Sequence, residues 1–167
     1  MKVYNGILVK VDESDIKLLE KNPEKFWEDI REINSFAFDG CTNLTSIEIP
    51  DGIEAIGNYA FSDCPNLTSV KIPYSVKSVG NYTFAGCTNL TSIEISNGLK
   101  SIGDFAFRGC SNLTKIDIPN SVETIGDSAF KGCANLTNLK MSSSVKSIGD
   151  YAFDGCTQLT LCVLPMT

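Results

Sequence analysis

The sequence predicts an α/β repeat solenoid, and three observations lead to that fold class. A cysteine returns every 23 residues, and its neighbours return with it in the same order. Each unit contains a short alternation of apolar and polar residues, which is typical of a half-buried strand. No single unit carries enough apolar residues to bury its inner side alone, so stacking the units in parallel is what makes one continuous core.

Aligned on the cysteine, the unit reads C-x-N-L-T-x-I-x-I-P-x-x-V-x-x-I-G-[DN]-x-A-F-x-G, and five full copies span residues 41–155. In the first copy, the alternation of Ile47 and Ile49 predicts a strand that Pro50 ends, because proline has no N–H to donate. A second short strand is predicted at 76–79. Residues 104–109 and their equivalents predict one helical turn, capped by Asp or Asn at its start and by Gly at its end.

The predicted inward side of a unit consists of apolar residues that recur in every copy. In the first copy these are Leu44, Ile47, Ile49, Ile53, Ile56, Ala60 and Phe61. Each Phe is expected to stack on the Phe of the next unit, because strands of neighbouring units lie about 4.8 Å apart.

The repeated pattern L-x-x-I-x-I-P-x-x-[VI]-x-x-I-G-x-x-A-F-x-G-C resembles the leucine-rich repeats of the BspA-like subclass over residues 33–165. The resemblance implies a right-handed superhelix with a parallel β-sheet on its concave face and short strands or helical turns on the other side. It also implies a non-catalytic role in binding proteins, usually on microbial surfaces and often in adhesion to host cells or matrix. The family has no catalytic residues to transfer to this chain.

The chain divides into a predicted N-terminal cap, residues 1–32, and a repeat domain, residues 33–167. The cap is expected to contain a strand or hairpin around Asn5-Gly6, followed by two short helices at 14–21 and 23–30. Its buried side is predicted to consist of Leu18, Leu19, Phe26, Trp27 and Ile30. A cap closes the first unit of a solenoid; a functional site on the Trp27 segment is the alternative interpretation.

The last strand differs from the others on its outward side. Leu161 and Val163 stand where the first copy has Ser46 and Glu48. An apolar strand at the open edge of a parallel sheet favours pairing with another chain, so a homodimer through this strand is one prediction. Truncation from a longer array and a self-sufficient end are the other two.

Composition excludes several classes of function. A net charge of −6 and a pI near 4.6 disfavour nucleic-acid binding, which depends on Lys and Arg at phosphates. The chain contains no histidine, which excludes Ser-His-Asp and Cys-His catalysis and removes the commonest metal ligand. We therefore expect no enzymatic activity and no cofactor.

The sequence contains neither a long apolar run nor a signal-peptide pattern, so no membrane insertion is expected. Localisation stays open. The resemblance points to the cell surface or secretion, whereas the lack of a signal pattern and the unpaired cysteines fit a reducing compartment as well.

The repeated cysteines and Asn-Leu-Thr triplets each have a structural interpretation. Cysteines on neighbouring units are close enough for disulfides, but their place beside the inward Leu favours buried free thiols. A zinc site would need more ligands than the single Cys of each unit, and a catalytic thiol would need a base that the unit lacks. The triplets match glycosylation acceptors, but an Asn before a strand is expected to form a hydrogen-bonded ladder.

Residues that vary between copies are the candidates for partner binding. They fall on the outward side of the first strand, at the position after its Pro, and just before the Ala-Phe pair. The candidates are Ser46, Glu48, Lys71, Tyr74, Glu94, Asp117, Lys140, Tyr59, Tyr82, Phe105 and Tyr151. The strand-face charges also suit a solvated face with cross-strand ion pairs, and the aromatic residues also suit lateral packing between units.

Overall fold

The structure, a computed structural model, describes residues 1–160. The chain begins with an antiparallel pair of strands, β1 (Lys2–Tyr4) and β2 (Ile7–Lys10), followed by two helices, α1 (Glu13–Lys21) and α2 (Pro23–Trp27). Asp12 caps α1 through a capping box with Asp15. The second helix ends at Trp27, three residues before the predicted end, because Glu28 adopts an extended conformation and Asp29 a left-handed one with φ of 64°.

Two strands per unit follow the cap. The strands are β3 (Glu32–Ile33), β4 (Ser46–Glu48), β5 (Ala55–Ile56), β6 (Ser69–Ile72), β7 (Ser78–Val79), β8 (Ser92–Ile95), β9 (Ser101–Ile102), β10 (Lys115–Ile118), β11 (Thr124–Ile125), β12 (Asn138–Met141) and β13 (Ser147–Ile148).

These strands form two sheets on different sides of the stack. One has eight strands in the order β1-β2-β3-β5-β7-β9-β11-β13, and the other has five in the order β12-β10-β8-β6-β4. All pairs except β1 with β2 are parallel, and repeat strands pair in a 23-residue register such as Ile47 with Val70. The predicted solenoid is confirmed, and the second short strands form a sheet of their own.

The predicted helical turn has an unexpected geometry. Its second residue is left-handed in every unit, with a φ of 57° at both Tyr59 and Tyr82. Alternate backbone N–H groups consequently donate to the next unit, as from Tyr59 to the carbonyl of Asn81 at 2.9 Å and from Phe61 to that of Thr83 at 2.8 Å. The turn is therefore held by bonds between units in addition to those within it.

The prediction that Asn or Asp caps its own turn is wrong. The Asn58 Oδ1 accepts the backbone N–H of Asn81 in the next unit at 2.8 Å, and Asn81 Oδ1 accepts that of Asp104 at 2.9 Å. This ladder also explains the repeated glycine. A Cβ at Gly80 would lie 2.7 Å from the Asn58 Oδ1 and one at Gly103 2.6 Å from the Asn81 Oδ1, closer than a Cβ can approach.

The predicted core is confirmed in the first copy and at most positions of the others; Ile93 and Ile95 are only partly buried, and Ile148 is 45% exposed. All seven inward residues of the first copy are buried, with side chains no more than 4% exposed. Phe rings of adjacent units stack at centroid distances of 4.7 Å (Phe38 to Phe61) and 5.2 Å (Phe61 to Phe84), and the column continues to Phe153. The cap closes this column, because Phe26 and Trp27 pack against Phe38 at 6.1 and 6.4 Å.

Candidate functional site

The outward face of the five-stranded sheet carries the predicted charged column. Glu48, Lys71, Glu94, Asp117 and Lys140 are all exposed there, on five successive strands. A depression of about 420 Å³ lies over β4, β6 and β8 and is lined in part by Ser46, Ser69 and Ser92. The structure thus brings Ser46, Glu48, Lys71 and Glu94 together around one open depression.

Ion pairs on this face are fewer than the charge column suggests. Lys71 Nζ lies 3.0 Å from Glu48 Oε1 on the neighbouring strand, and this contact raises the pKa of Lys71. Asp117 instead pairs with Lys115 of its own strand, at 3.0 Å. Cross-strand pairing is therefore confirmed at the first two strands. The described residues provide no such partner within 4 Å for Glu94 or Lys140.

The sheet opens between its third and fourth repeat strands, a feature that the sequence analysis missed. β8 and β10 pair only at Ser92 with Lys115, whereas β6 with β8 and β10 with β12 each pair at four residues. Ile93 and Ile95 of β8 are partly exposed beside a cleft of about 350 Å³. Where three other copies have Pro, this copy has Ser96, whose N–H donates to the Ile72 carbonyl of β6 at 3.1 Å.

The aromatic residues before each Ala-Phe pair form a second stacked column. Ring centroids are 4.8 Å apart from Phe36 to Tyr59, 4.6 Å from Tyr59 to Tyr82 and 4.5 Å from Tyr82 to Phe105, with planes within 8° of parallel. Ser128 interrupts the column. Lateral packing between units is confirmed. Tyr59, Tyr82 and Phe105 are only partly buried, so their rings stay partly accessible to solvent.

Two other candidate residues, Tyr151 and Tyr74, lie apart from these surfaces. Tyr151 is 72% exposed and stands beyond the interruption at Ser128. Tyr74 is also exposed, and the Lys77 ammonium lies 4.4 Å from its ring centroid, a cation–π contact. Leu161 and Val163, the predicted self-association residues, lie outside the described residues.

The prediction of buried free thiols is confirmed for Cys64, Cys87, Cys110 and Cys133, whereas Cys41 and Cys156 are only partly buried. Cys87 Sγ donates to the Phe61 carbonyl, 26 residues earlier in the chain, at 3.1 Å, and Cys110 Sγ does the same to Phe84 at 3.2 Å. Burial raises the pKa of Cys41 to about 11 and of Cys110 to about 12, so both stay protonated at neutral pH. Within residues 1–160 no cysteine is bridged, and no group of three potential metal ligands occurs.

The asparagines of the Asn-Leu-Thr triplets form part of the predicted ladder. Asn112 Nδ2 donates to Asn89 Oδ1 and Asn135 Nδ2 to Asn112 Oδ1, both at 3.3 Å. Asn66 Nδ2 instead donates to the Thr42 carbonyl of the preceding unit at 2.7 Å. These side chains therefore hold adjacent turns together. Over the described range, no helix combines the length and apolarity that a membrane crossing needs.

Comparison with known proteins places these features among bacterial repeat proteins. The BspA type leucine rich repeat region family matches residues 25–100 and 77–167. A leucine-rich repeat protein from Bacteroides ovatus superposes with a TM-score of 0.75 at 37% identity, covering 79% of this chain and 34% of its own. One from Eubacterium ventriosum gives 0.76 at 26% identity, covering 83% and 37%.

A leucine rich cell surface protein from Faecalibacterium prausnitzii superposes with a TM-score of 0.61 at 28% identity, covering 84% of this chain and 52% of its own. The chain thus spans about a third of the length of the Bacteroides and Eubacterium proteins. No functionally curated protein matches the sequence.

Proposed function

Since the chain belongs to the BspA-type leucine-rich repeat family, we propose that it is a non-catalytic scaffold that recognises another protein through the outward face of the five-stranded sheet. Repeat scaffolds of this family commonly mediate protein interaction. The observation that carries the proposal is the depression over β4, β6 and β8, which combines a serine from each strand with charges that change sign from one copy to the next, at Glu48, Lys71 and Glu94. Binding sites in repeat proteins lie on extended concave surfaces of this kind.

The physical character of this face suits a polar protein surface. Serine hydroxyls line its centre, charges of both signs surround it, and Ile93 and Ile95 add a small apolar area at the opening beside β10. A polar rim around a limited apolar area is the usual anatomy of a non-obligate protein interface. The aromatic column is a second candidate contact surface, because aromatic side chains are enriched at such interfaces.

The proposal is tested by reversing charges on one face at a time. A partner captured by the wild-type chain is purified and titrated against Lys71→Glu/Lys115→Glu, which changes the sheet face, and against the matched control Lys77→Glu/Lys100→Glu on the other side of the unit. We expect at least about tenfold weaker binding for the sheet-face variant only. Equal binding by both variants would contradict the proposal.

Replacing Tyr59, Tyr82 and Tyr151 together by Ser asks whether the aromatic column takes part. If the column contacts the partner, the triple variant binds more weakly than wild type at equal folded fraction. Unchanged binding would remove the column from the recognition surface and leave it with its stacking role.

Two narrower proposals concern what the partner is. Adhesion at a microbial surface is supported by the likeness to the Faecalibacterium cell surface protein. Self-association through the C-terminal strand is supported by the apolar Leu161 and Val163 in the sequence. Sedimentation of the purified chain over a concentration series tests the second, and a strict monomer at high concentration would contradict it.

A further inference from the structure

A cleft lies between the cap and the first repeat strand. It has a volume of about 730 Å³ and runs between the segment 22–31 and the end of β4 with its following turn. Pro23, Trp27, Ile30 and Pro50 contribute apolar lining. This cleft is separate from the depression on the sheet face, although Glu48 borders both.

One wall of the cleft belongs to an open sheet edge. The cap covers the N-terminal edge of the eight-stranded sheet with β1 and β2, but it adds no strand to the five-stranded sheet, which ends at β4. Ile49 donates its N–H to Lys71 of β6, and Thr45 accepts from Thr68. Because parallel strands alternate the direction of their backbone groups, the N–H and C=O of Ser46 and Glu48 point away from β6, towards the open edge.

No described residue pairs with that edge. Among residues 1–160, none forms a backbone or side-chain hydrogen bond with the main-chain groups of Ser46 or Glu48 on the side away from β6. An exposed strand edge is a template for another strand, and many proteins bind extended peptides in this way.

The cleft is acidic. Its lining includes Glu24, Glu28, Asp29, Glu48 and Asp51, against two cations, Lys25 and Arg31. Only Glu48 of these carboxylates has a cation within 4 Å in the described part of the chain, and that cation is Lys71, outside the cleft. The remaining carboxylates are therefore available to a ligand of opposite charge.

Trp27 forms part of the lining of the cleft. Only 8% of this residue is exposed, and its Nε1–H, which finds no acceptor among the described residues, is itself buried.

We propose that this cleft binds an extended, Lys- or Arg-bearing peptide segment of another protein, which pairs with β4 as a sixth strand of the five-stranded sheet. The backbone of β4 supplies the hydrogen bonds, the carboxylates select cationic side chains, and the apolar lining accepts the side chains on the opposite face of the peptide. This site goes beyond the sheet-face recognition proposed above and does not depend on it.

The single tryptophan of the chain lines the cleft and reports on it directly. A short peptide of alternating lysine and valine is titrated while Trp27 fluorescence is followed, beside its glutamate–valine counterpart and two lysine–valine peptides N-methylated at alternate residues, one in each of the two possible registers. We expect saturable binding of the first peptide, weakening with salt, and at least about tenfold weaker binding of the acidic peptide and of the N-methylated peptide whose register blocks the N–H groups that face β4. Binding of the acidic peptide, or of both N-methylated peptides, as tight as that of the first peptide would overturn the proposal.

Variants of the protein assign the site. Glu28→Gln/Asp51→Asn is expected to weaken binding of the lysine–valine peptide about tenfold, whereas Glu94→Gln/Asp117→Asn, which removes the same charge from the sheet face, leaves it unchanged. An equal loss of peptide affinity in both variants would mean that only the net charge of the protein matters, and it would overturn the proposal. Only the second variant alters the sheet face that is proposed to recognise a partner. If that proposed function fails, the result expected for Glu28→Gln/Asp51→Asn stays the same.

A second copy of the chain is the competing occupant. If sedimentation shows a dimer that Glu28→Gln/Asp51→Asn abolishes and that the lysine–valine peptide does not dissociate, the cleft is an interface between copies and the peptide proposal is wrong. A monomer that binds the peptide with one-to-one stoichiometry supports it.

Discussion

Two aromatic columns run along the stack with similar ring spacing but opposite exposure. The inner column, from Phe38 to Phe130, is fully buried, with centroids 4.7–5.3 Å apart. The outer column, from Phe36 to Phe105, stacks at 4.5–4.8 Å, yet its rings remain partly exposed, and Ser128 interrupts it. The spacing between neighbouring units sets the stacking distance in both columns. Burial therefore decides which column the fold requires and which one can vary.

The inner column is expected to give the largest effect on stability. Phe84→Ala removes a fully buried ring that stacks on two neighbours, and the loss with its cavity should cost about 3–5 kcal/mol of unfolding free energy. Denaturant unfolding followed by circular dichroism measures this cost. A loss below that of Tyr82→Ala in the outer column would contradict the ranking of the two columns.

The thiols beside the inner column predict a weakness at alkaline pH. Burial raises the pKa of Cys110 from 9.0 to about 12. The contribution of this protonated thiol to the unfolding free energy is therefore fully present below pH 9 and is lost as the pH rises towards 12. The loss per thiol is about 1.4 kcal/mol for each pH unit in that window. Unfolding free energies at pH 8 and pH 10.5 should therefore fall more steeply for wild type than for Cys110→Ala; equal slopes would contradict the buried-thiol assignment.

The turn ladder beside the outer column is expected to contribute less. Asp104→Ala removes the carboxylate that accepts the Asp127 N–H at 2.9 Å, at a cost of about 1 kcal/mol because the freed N–H is near solvent. Asp104→Asn keeps an acceptor, as Asn58 and Asn81 do in their units, and should restore most of the loss. Thermal unfolding of the two variants checks this, and an equal loss in both would count against the ladder.

The outer column can be lengthened as well as cut. Ser128→Tyr places a ring between Phe105 and Tyr151 on a backbone whose φ of 53° matches that of the tyrosine positions. Two new stacking contacts should raise the unfolding free energy by about 0.5–1.5 kcal/mol, measured by denaturant titration. Ser128→Ala is the control without a ring, and stabilisation by both variants alike would exclude stacking as the cause.

The sequence predicted most of the fold because repetition averages out local ambiguity. The inward residues, the Phe column and the cysteines recur in every copy, and most were placed correctly. The exceptions include Ile148, which is exposed, and Ile93, Ile95, Cys41 and Cys156, which are only partly buried. The left-handed residue at Tyr59 and its equivalents was not foreseen, because bulky side chains rarely adopt that conformation and only hydrogen bonds between units make it favourable. The partner of Asn58 was missed for the same reason.

The site was less predictable, because its shape comes from contacts between units and between the cap and the repeats. The charged column was placed on an exposed face, but the repeat pattern gives no sign that β8 and β10 pair at a single position. The cleft beside β4 joins residues 22–31 to 48–51, and nothing in the repeat pattern indicates that the cap leaves this edge open.

The central claim is that recognition resides on the varying outward residues of the five-stranded sheet, separate from the columns that hold the fold. The most direct measurement is the affinity of a purified partner for Lys71→Glu/Lys115→Glu, with its melting temperature as the check on folding. The account predicts a variant that stays folded at the assay temperature, with a somewhat lower melting temperature because like charges then face Glu48, Glu94 and Asp117, and binding at least about tenfold weaker. Wild-type affinity in a fully folded variant would contradict it.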